Sequence, residues 1–200
     1  MPKKLLIIFV KNIKLGRVKT RLANTIGKEN ALKVYKALVE VTEKATSNIK
    51  TDKRIYFSDA IIHEKWTNDY KAVQKGEDLG QRMSNAFKDG FDDGYTEIVL
   101  IGSDLPSISA KIIQDGFKSL KNKEVVFGPA EDGGYYLVGM SKFHHFIFEN
   151  KAWSSSNLLE ETLSELKQKK IEVSLIETLN DIDTFEDLQA YPKFLKLISK

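Results

Sequence analysis

Cysteine is absent from this 200-residue chain. That excludes a disulfide framework, a thiolate zinc site and a cysteine nucleophile. Histidine is scarce: His144 and His145 are neighbours and His63 stands apart, so no imidazole metal set forms and all three read as surface or packing residues. Long apolar runs are lacking too. The N-terminal run "LLIIFV", residues 5–10, is too short for a membrane span or signal peptide, and no small-residue cleavage site follows it. A buried first strand in a cytoplasmic protein without a membrane partner is the expectation. Neither G-x-x-x-x-G-K-[ST] nor G-x-G-x-x-G occurs, so no P-loop ATPase or dinucleotide-binding enzyme is indicated.

Two further absences concern charge. No acidic residue precedes Glu29, whereas Lys3, Lys4, Lys11, Lys14, Arg17, Lys19, Arg21 and Lys28 all do. No basic residue lies between Glu172 and Asp187, a stretch holding Glu177, Asp181, Asp183 and Glu186. One segment suits anions and another suits cations, the polarity a metal–phosphate site requires. The net charge of +3 is too small to indicate a nucleic-acid partner, and no basic strand is interleaved with aromatics.

What is present is ordinary globular composition, 42% hydrophobic and 30% charged residues. No repeat or linker interrupts it, so residues 1–200 read as a single domain. Apolar strands alternate with helices. "KLLIIFV", "RIYFS", "TEIVLIGSD", "EVVFGP", "YYLVGM" and "IEVSLIE" read as strands; "KENALKVYKALVEVTEKA", "GQRMSNAFKDGF", "AKIIQDGFKSL" and "NLLEETLSELKQK" read as helices, with a closing helical stretch from Thr184. The alternation predicts a Rossmann-like three-layer α/β/α sandwich with a mostly parallel mixed sheet, the pair "EVVFGP" and "YYLVGM" adding an antiparallel element. Ligands in such sheets sit beyond the carboxyl ends of the strands.

Each loop at that edge carries something unusual. In "KNIKLGRVKTRLA", Gly16 permits close backbone approach, and Lys19 and Arg21 are candidate phosphate clamps. In "GSDLPSIS", Pro106 stiffens the turn after Asp104, a hard-oxygen ligand suited to Mg²⁺ or Mn²⁺ or else a turn or cap residue. In "GPAEDGGYYLVG", Asp132 is a candidate general base, Gly133 and Gly134 permit a hairpin turn, and one of Tyr135 and Tyr136 faces the cleft while the other packs. In "LNDIDTFEDL", Asp181 and Asp183 cannot both cap the helix that follows, so capping leaves a carboxylate for a cation. "QKGEDLGQRMSNAF" adds Gly80 and Arg82 at a helix start, a common setting for nucleotide contacts and equally for a plain loop.

Taken in order, "GRVKTRLA", "GEDLGQRM", "IGSDLP", "GPAEDGGYYLVG", "AWSSS" and "DIDTFEDL" resemble the bacterial glycosyltransferase-A-like proteins grouped as DUF2064. Some of these are associated with arsenosugar biosynthesis, and they are related to the guanylyltransferases of molybdenum-cofactor and phospholactate pathways. The resemblance runs from about Leu5 to Leu188 and implies a nucleotide-diphospho-sugar transferase fold of the GT-A type. It implies a nucleotide site at Gly16, Lys19, Arg21, Gly80, Arg82 and Ser103, and a divalent cation on Asp104 and Asp183. It also implies an acceptor or sugar site at Asp132, Gly133, Gly134, Tyr135 and Trp153. Trp153 and Ser154 match a "W-S/T" element of unassigned role. Leu105 departs from the small residue or cysteine common there, and the first loop lacks the G-G-x-G-T-R pattern of sugar nucleotidyltransferases.

The resemblance implies a transferase acting on a nucleotide sugar or NTP and a small-molecule acceptor. Glycosyl transfer ranks first, with Lys19 and Arg21 neutralising the leaving diphosphate and Asp132 deprotonating the acceptor if the anomeric centre inverts. Nucleotidyl transfer, of the guanylyl or cytidylyl kind with pyrophosphate release, is the alternative. A binding module without turnover is disfavoured by the presence of both Asp104 and Asp183.

Overall fold

The computed structural model describes residues 2–153 and 155–198. Seven strands form one sheet: β1 (Lys4–Val10), β2 (Asp52–Phe57), β3 (Tyr70–Val73), β4 (Glu97–Ile101), β5 (Val125–Pro129), β6 (Tyr135–Met140) and β7 (Val173–Leu175). Their spatial order is β3-β2-β1-β4-β6-β5-β7. Only β6 runs against its neighbours, pairing antiparallel with both β4 and β5; the remaining pairs are parallel. The mixed sheet and its antiparallel hairpin match the sequence expectation.

The helices are α1 (Thr20–Ile26), α2 (Lys28–Ser47), α3 (Leu79–Asp92), α4 (Ala110–Ser119), α5 (Leu158–Gln168), α6 (Phe185–Gln189) and α7 (Pro192–Leu195). They cover both faces of the sheet, which is why the central strands are continuously apolar instead of alternating. On β1, Leu6, Ile8 and Val10 point to one core with Tyr35 and Val39 of α2 and Ile113 and Phe117 of α4. Leu5, Ile7 and Phe9 point to the other, with Met83 and Phe87 of α3 and Leu166 of α5. Side chains on successive strand positions face opposite sides, so one heptapeptide feeds both layers.

Two elements go beyond the sequence expectation. The basic stretch is not loop throughout, since residues 20–26 form α1. This helix starts from Lys19 in the left-handed region (φ 45°, ψ 51°) without a side-chain cap, and buries Leu22. The polar stretch after β2 contains edge strand β3. A third cluster joins Leu22 of α1, Val34 and Leu38 of α2, Ile182, Leu188 of α6 and Phe194 of α7. It fastens the first and last of the edge loops together. Among the described residues no helix is long and apolar enough to cross a membrane.

Candidate active site

The loops after β1, β4 and β7 converge on one nitrogen. The Lys19 ammonium donates to Asp104 Oδ2 at 3.0 Å, Asp183 Oδ1 at 3.0 Å and Asp181 Oδ2 at 3.3 Å. Its side chain is 4% exposed, whereas the three carboxylates are between 27% and 38% exposed. Arg21 reaches Asp183 Oδ2 at 3.3 Å from the open side.

Local sequence chemistry explains why the carboxylates arrive free. In the last loop, the Thr184 hydroxyl accepts from the Asp187 amide while Asp187 accepts from the Thr184 and Asp183 amides, a capping box for α6. Asp187 and Thr184 thus satisfy the helix terminus, and neither Asp181 nor Asp183 is consumed by it. Ile182 between them is fully buried in the third cluster, and both flanking aspartates turn to Lys19. Ser109, accepting from the Ile112 amide, caps α4 and leaves Asp104 free in the same way. At the first loop, the Tyr35 hydroxyl donates to the Lys11 carbonyl and accepts from the Lys11 amide, both at 3.0 Å, and bonds Ser103 Oγ at 3.1 Å. This clasp locks β1's exit to the turn carrying Asp104.

Electrostatics follow from the burial. Burial disfavours the charged ammonium of Lys19, but Asp104, Asp181 and Asp183 outweigh it and hold Lys19 protonated far above the lysine range. Burial works against the Asp104 carboxylate, and Lys19 overturns this, leaving it below the usual range. Asp181 goes the other way: burial, reinforced by Asp104 and Asp183, pushes it up to about 6 despite Lys19. Burial also pushes Tyr35 up to about 12.

The cluster opens into a cleft of about 310 Å³ lined by Lys11, Asp104, Asp132, Tyr135, Trp153, Asp181 and Asp183, among others. An apolar recess of about 150 Å³ shares Leu79, Met83, Asp104, Leu105 and Tyr135 with it. Asp132 Oδ1 accepts from the Gly134 amide at 2.9 Å, so the carboxylate supports the hairpin turn as well as lining the cleft. Gly133 (φ 89°) is pressed against the next segment: a Cβ there would lie 1.8 Å from the Ser156 carbonyl oxygen. Tyr135 packs its ring on Phe127, and its buried hydroxyl has no hydrogen-bond partner among the described residues. Tyr136 also lines the cleft and donates to the Glu177 carbonyl at 2.7 Å, so the two tyrosines do not divide into one facing the cleft and one packed away from it.

Other expected site residues sit in structural settings. Gly80 gives Trp153 and the Phe148 carbonyl room to approach α3; a Cβ would lie 2.3 Å from that oxygen. Arg82 donates from Nε to the Gly76 carbonyl, bracing its own loop. Ser103 is buried against Tyr35 and absent from the cleft lining. Gly16 (φ 73°) faces the Lys28 stem. Ser154 lies outside the described residues. Lys11, not anticipated as a site residue, lines the cleft. Asp181, offered by the sequence beside Asp183 as a carboxylate for a cation but left out of the implied pair Asp104 and Asp183, completes the set on Lys19. The histidines take packing and surface roles: His144 pairs with Glu124 and His145 with Glu149.

A mixed α/β sheet with acidic and basic loops meeting at its carboxyl edge puts the site where open sheets bind ligands, and the relatives of this chain make it a transferase. The chain belongs to the DUF2064 family, described as an uncharacterized protein conserved in bacteria, whose model matches residues 43–155. A 2-phospho-L-lactate guanylyltransferase from Methanocaldococcus sp. (strain FS406-22) is 27% identical over 87% of this chain and 75% of its own. The enzyme of the same name from Methanocaldococcus jannaschii is 26% identical over 87% and 76%. A crystal structure from Desulfovibrio desulfuricans G20, provisionally assigned as a nucleotide-diphospho-sugar transferase, superposes with a TM-score of 0.89 at 32% identity. It covers 98% of this chain and 89% of that one.

Proposed function

We propose that the protein is a nucleotidyltransferase that joins a nucleoside monophosphate, taken from an NTP, to a phosphorylated small molecule with release of pyrophosphate. The meeting of Asp104, Asp181 and Asp183 on Lys19, with Arg21 beside them, supports a site for a cation and a polyphosphate. Likeness to guanylyltransferases over 87% of the chain carries the choice of nucleotidyl transfer, reversing the order read from the sequence.

In this reading an acceptor phosphate oxygen attacks the α-phosphorus and the bond to the bridging oxygen breaks, so the electron pair leaves with pyrophosphate. The acceptor is already ionised, and no protein base is required. Lys19, Arg21 and Lys11 supply positive charge against the polyphosphate. Hard carboxylate oxygens on Asp104 and Asp183, with Asp181 adjacent, fit Mg²⁺ or Mn²⁺. Such an ion supplies charge neutralisation at the phosphoryl oxygens. Asp132 is free of any base role here and helps bound the acceptor end of the cleft with Gly134, Tyr135 and Trp153.

Glycosyl transfer from a nucleotide sugar is the second reading, favoured by the Desulfovibrio neighbour; in that reading Asp132 deprotonates the acceptor if the anomeric centre inverts. The separating experiment supplies GTP or CTP with phosphorylated hydroxy acids, or nucleotide sugars with the same acceptors, in Mg²⁺. Acceptor-dependent pyrophosphate release supports nucleotidyl transfer. Release of a nucleoside diphosphate from a nucleotide sugar, without any pyrophosphate from NTPs, overturns it.

A further inference from the structure

We propose that the Lys19 ammonium is an exchangeable counter-ion: a divalent cation displaces it from Asp104, Asp181 and Asp183, and the released arm then meets the substrate's phosphates. This rests on the cation–polyphosphate reading of the same site. Lys19 as it stands cannot serve a phosphate, because three carboxylates surround its nitrogen and its side chain is 4% exposed. An incoming polyphosphate would meet the carboxylates before the ammonium. Something must first take the ammonium's place.

A divalent cation suits that exchange on three grounds. The aspartates come from separate loops and share one nitrogen at 3.0–3.3 Å. Mg²⁺ would take hard carboxylate oxygens at shorter distance than the ammonium holds them, so ion and ammonium would compete for the same oxygens. As the structure stands, no group of three or more His, Cys, Asp or Glu side chains among the described residues is arranged to hold a metal, so the ion would enter only as the ammonium leaves. The charges also favour exchange. Lys19, Arg21 and the nearby Lys11 balance the three carboxylates; a divalent ion in the ammonium's place would turn the site positive and free the Lys19 charge as well, as an anionic substrate requires.

The Lys19 side chain is suited to such an exchange. Its ammonium rides on a four-carbon stem with freely rotating donors, unlike a rigid guanidinium fork. Its backbone sits in the left-handed region at the N-cap of α1, where its carbonyl accepts from the Ala23 amide at 2.9 Å and its side chain makes no cap bond to the helix. Leu22 anchors the following turn in the third cluster, so the stem can swing while the helix stays. The exchange makes metal and polyphosphate binding mutually reinforcing, since each favours the state in which Lys19 has left the aspartates.

Two measurements test it, both without turnover. Mn²⁺ is titrated in the absence of nucleotide into the wild-type protein and Lys19→Met, and free Mn²⁺ is read by electron paramagnetic resonance. The variant lacks the competing ammonium and is expected to bind roughly tenfold tighter. Because that variant exposes three carboxylates to one another, the second measurement uses wild type alone. Trace acylation by an amine-reactive ester, quantified at Lys19 by peptide mass spectrometry, is expected to accelerate severalfold with Mn²⁺ while surface lysines stay constant. Mn²⁺ binding that leaves Lys19 acylation unchanged overturns the exchange but spares the metal site. Failure of both proteins to bind Mn²⁺, even with GTP, removes the cation reading itself and the exchange with it.

Discussion

Lys19 Nζ and Asp104 Oδ2, separated by 85 positions in sequence, meet at 3.0 Å and tie the loop after β1 to the loop after β4. Asp104→Asn preserves shape and an acceptor oxygen but removes the charge a cation needs. We expect transfer to fall by about 10²–10³-fold, the scale of losing one directed charge contact at a reacting phosphate. Asp183→Asn is expected to lose a similar amount. Rates under saturating Mg²⁺ and NTP, compared at equal folded fraction by circular dichroism, check this.

Asp181 gives the site a distinctive pH response. Its folded pKa, about 6, lies above the ordinary carboxylate value, so in the window between the two the folded chain binds more protons than the unfolded one. This group's contribution to stability is present at low pH and declines as pH rises towards about 6. Asp104, held low, contributes in the opposite direction and loses its share on acidification. Asp181→Asn is therefore expected to gain stability relative to wild type as pH is raised from 4.5 to 7. Urea midpoints at the two values check the sign; a gap between the proteins that stays constant with pH contradicts it.

Gly133 predicts a packing failure. Its φ is 89°, a Cβ at this position would lie 1.8 Å from the Ser156 carbonyl oxygen, and its own carbonyl accepts from the Leu159 amide at 3.0 Å. Alanine therefore has no place here. Gly133→Ala is expected to cost about 2–4 kcal/mol by combining left-handed strain with displacement of the α5 start. Gly94→Ala has a similar φ of 80° but nothing within 4 Å, and is expected to cost only about 1 kcal/mol. Denaturant titration of the two separates strain from clash.

Tyr35 is a positioning residue. Phenylalanine there leaves the Lys11 amide and carbonyl without the hydroxyl that serves both, at a cost of about 1–2 kcal/mol. Because the same hydroxyl holds Ser103 beside Asp104, Tyr35→Phe is expected to raise the metal concentration needed for half-maximal rate more than it lowers the maximal rate. Equal effects on both would assign Tyr35 to folding alone.

Much of this architecture was legible in the chain. Strands such as 97–101, buried on both faces, announce themselves as continuous apolar runs. The opposition of a basic N-terminal loop and an acidic C-terminal loop became the contact of Lys19 with Asp181 and Asp183. Helix α1 is hidden in the sequence because it offers one buried residue, Leu22, and begins without a capping side chain. Edge strand β3 is hidden because Tyr70–Val73 has no fully buried position and no strict alternation. The part played by Lys11 depends on the Tyr35 clasp, a contact across 24 positions that local pattern does not encode.

The central claim, a cation-dependent polyphosphate site at Lys19, Asp104 and Asp183, is tested most directly by thermal unfolding with GTP in the presence and absence of Mg²⁺. GTP with Mg²⁺ is expected to raise Tm by about 5–10 °C near a hundred times Kd, GTP with chelator to do far less, and Asp104→Asn to abolish the difference. Stabilisation by GTP that is the same with chelator and unchanged in Asp104→Asn would contradict it.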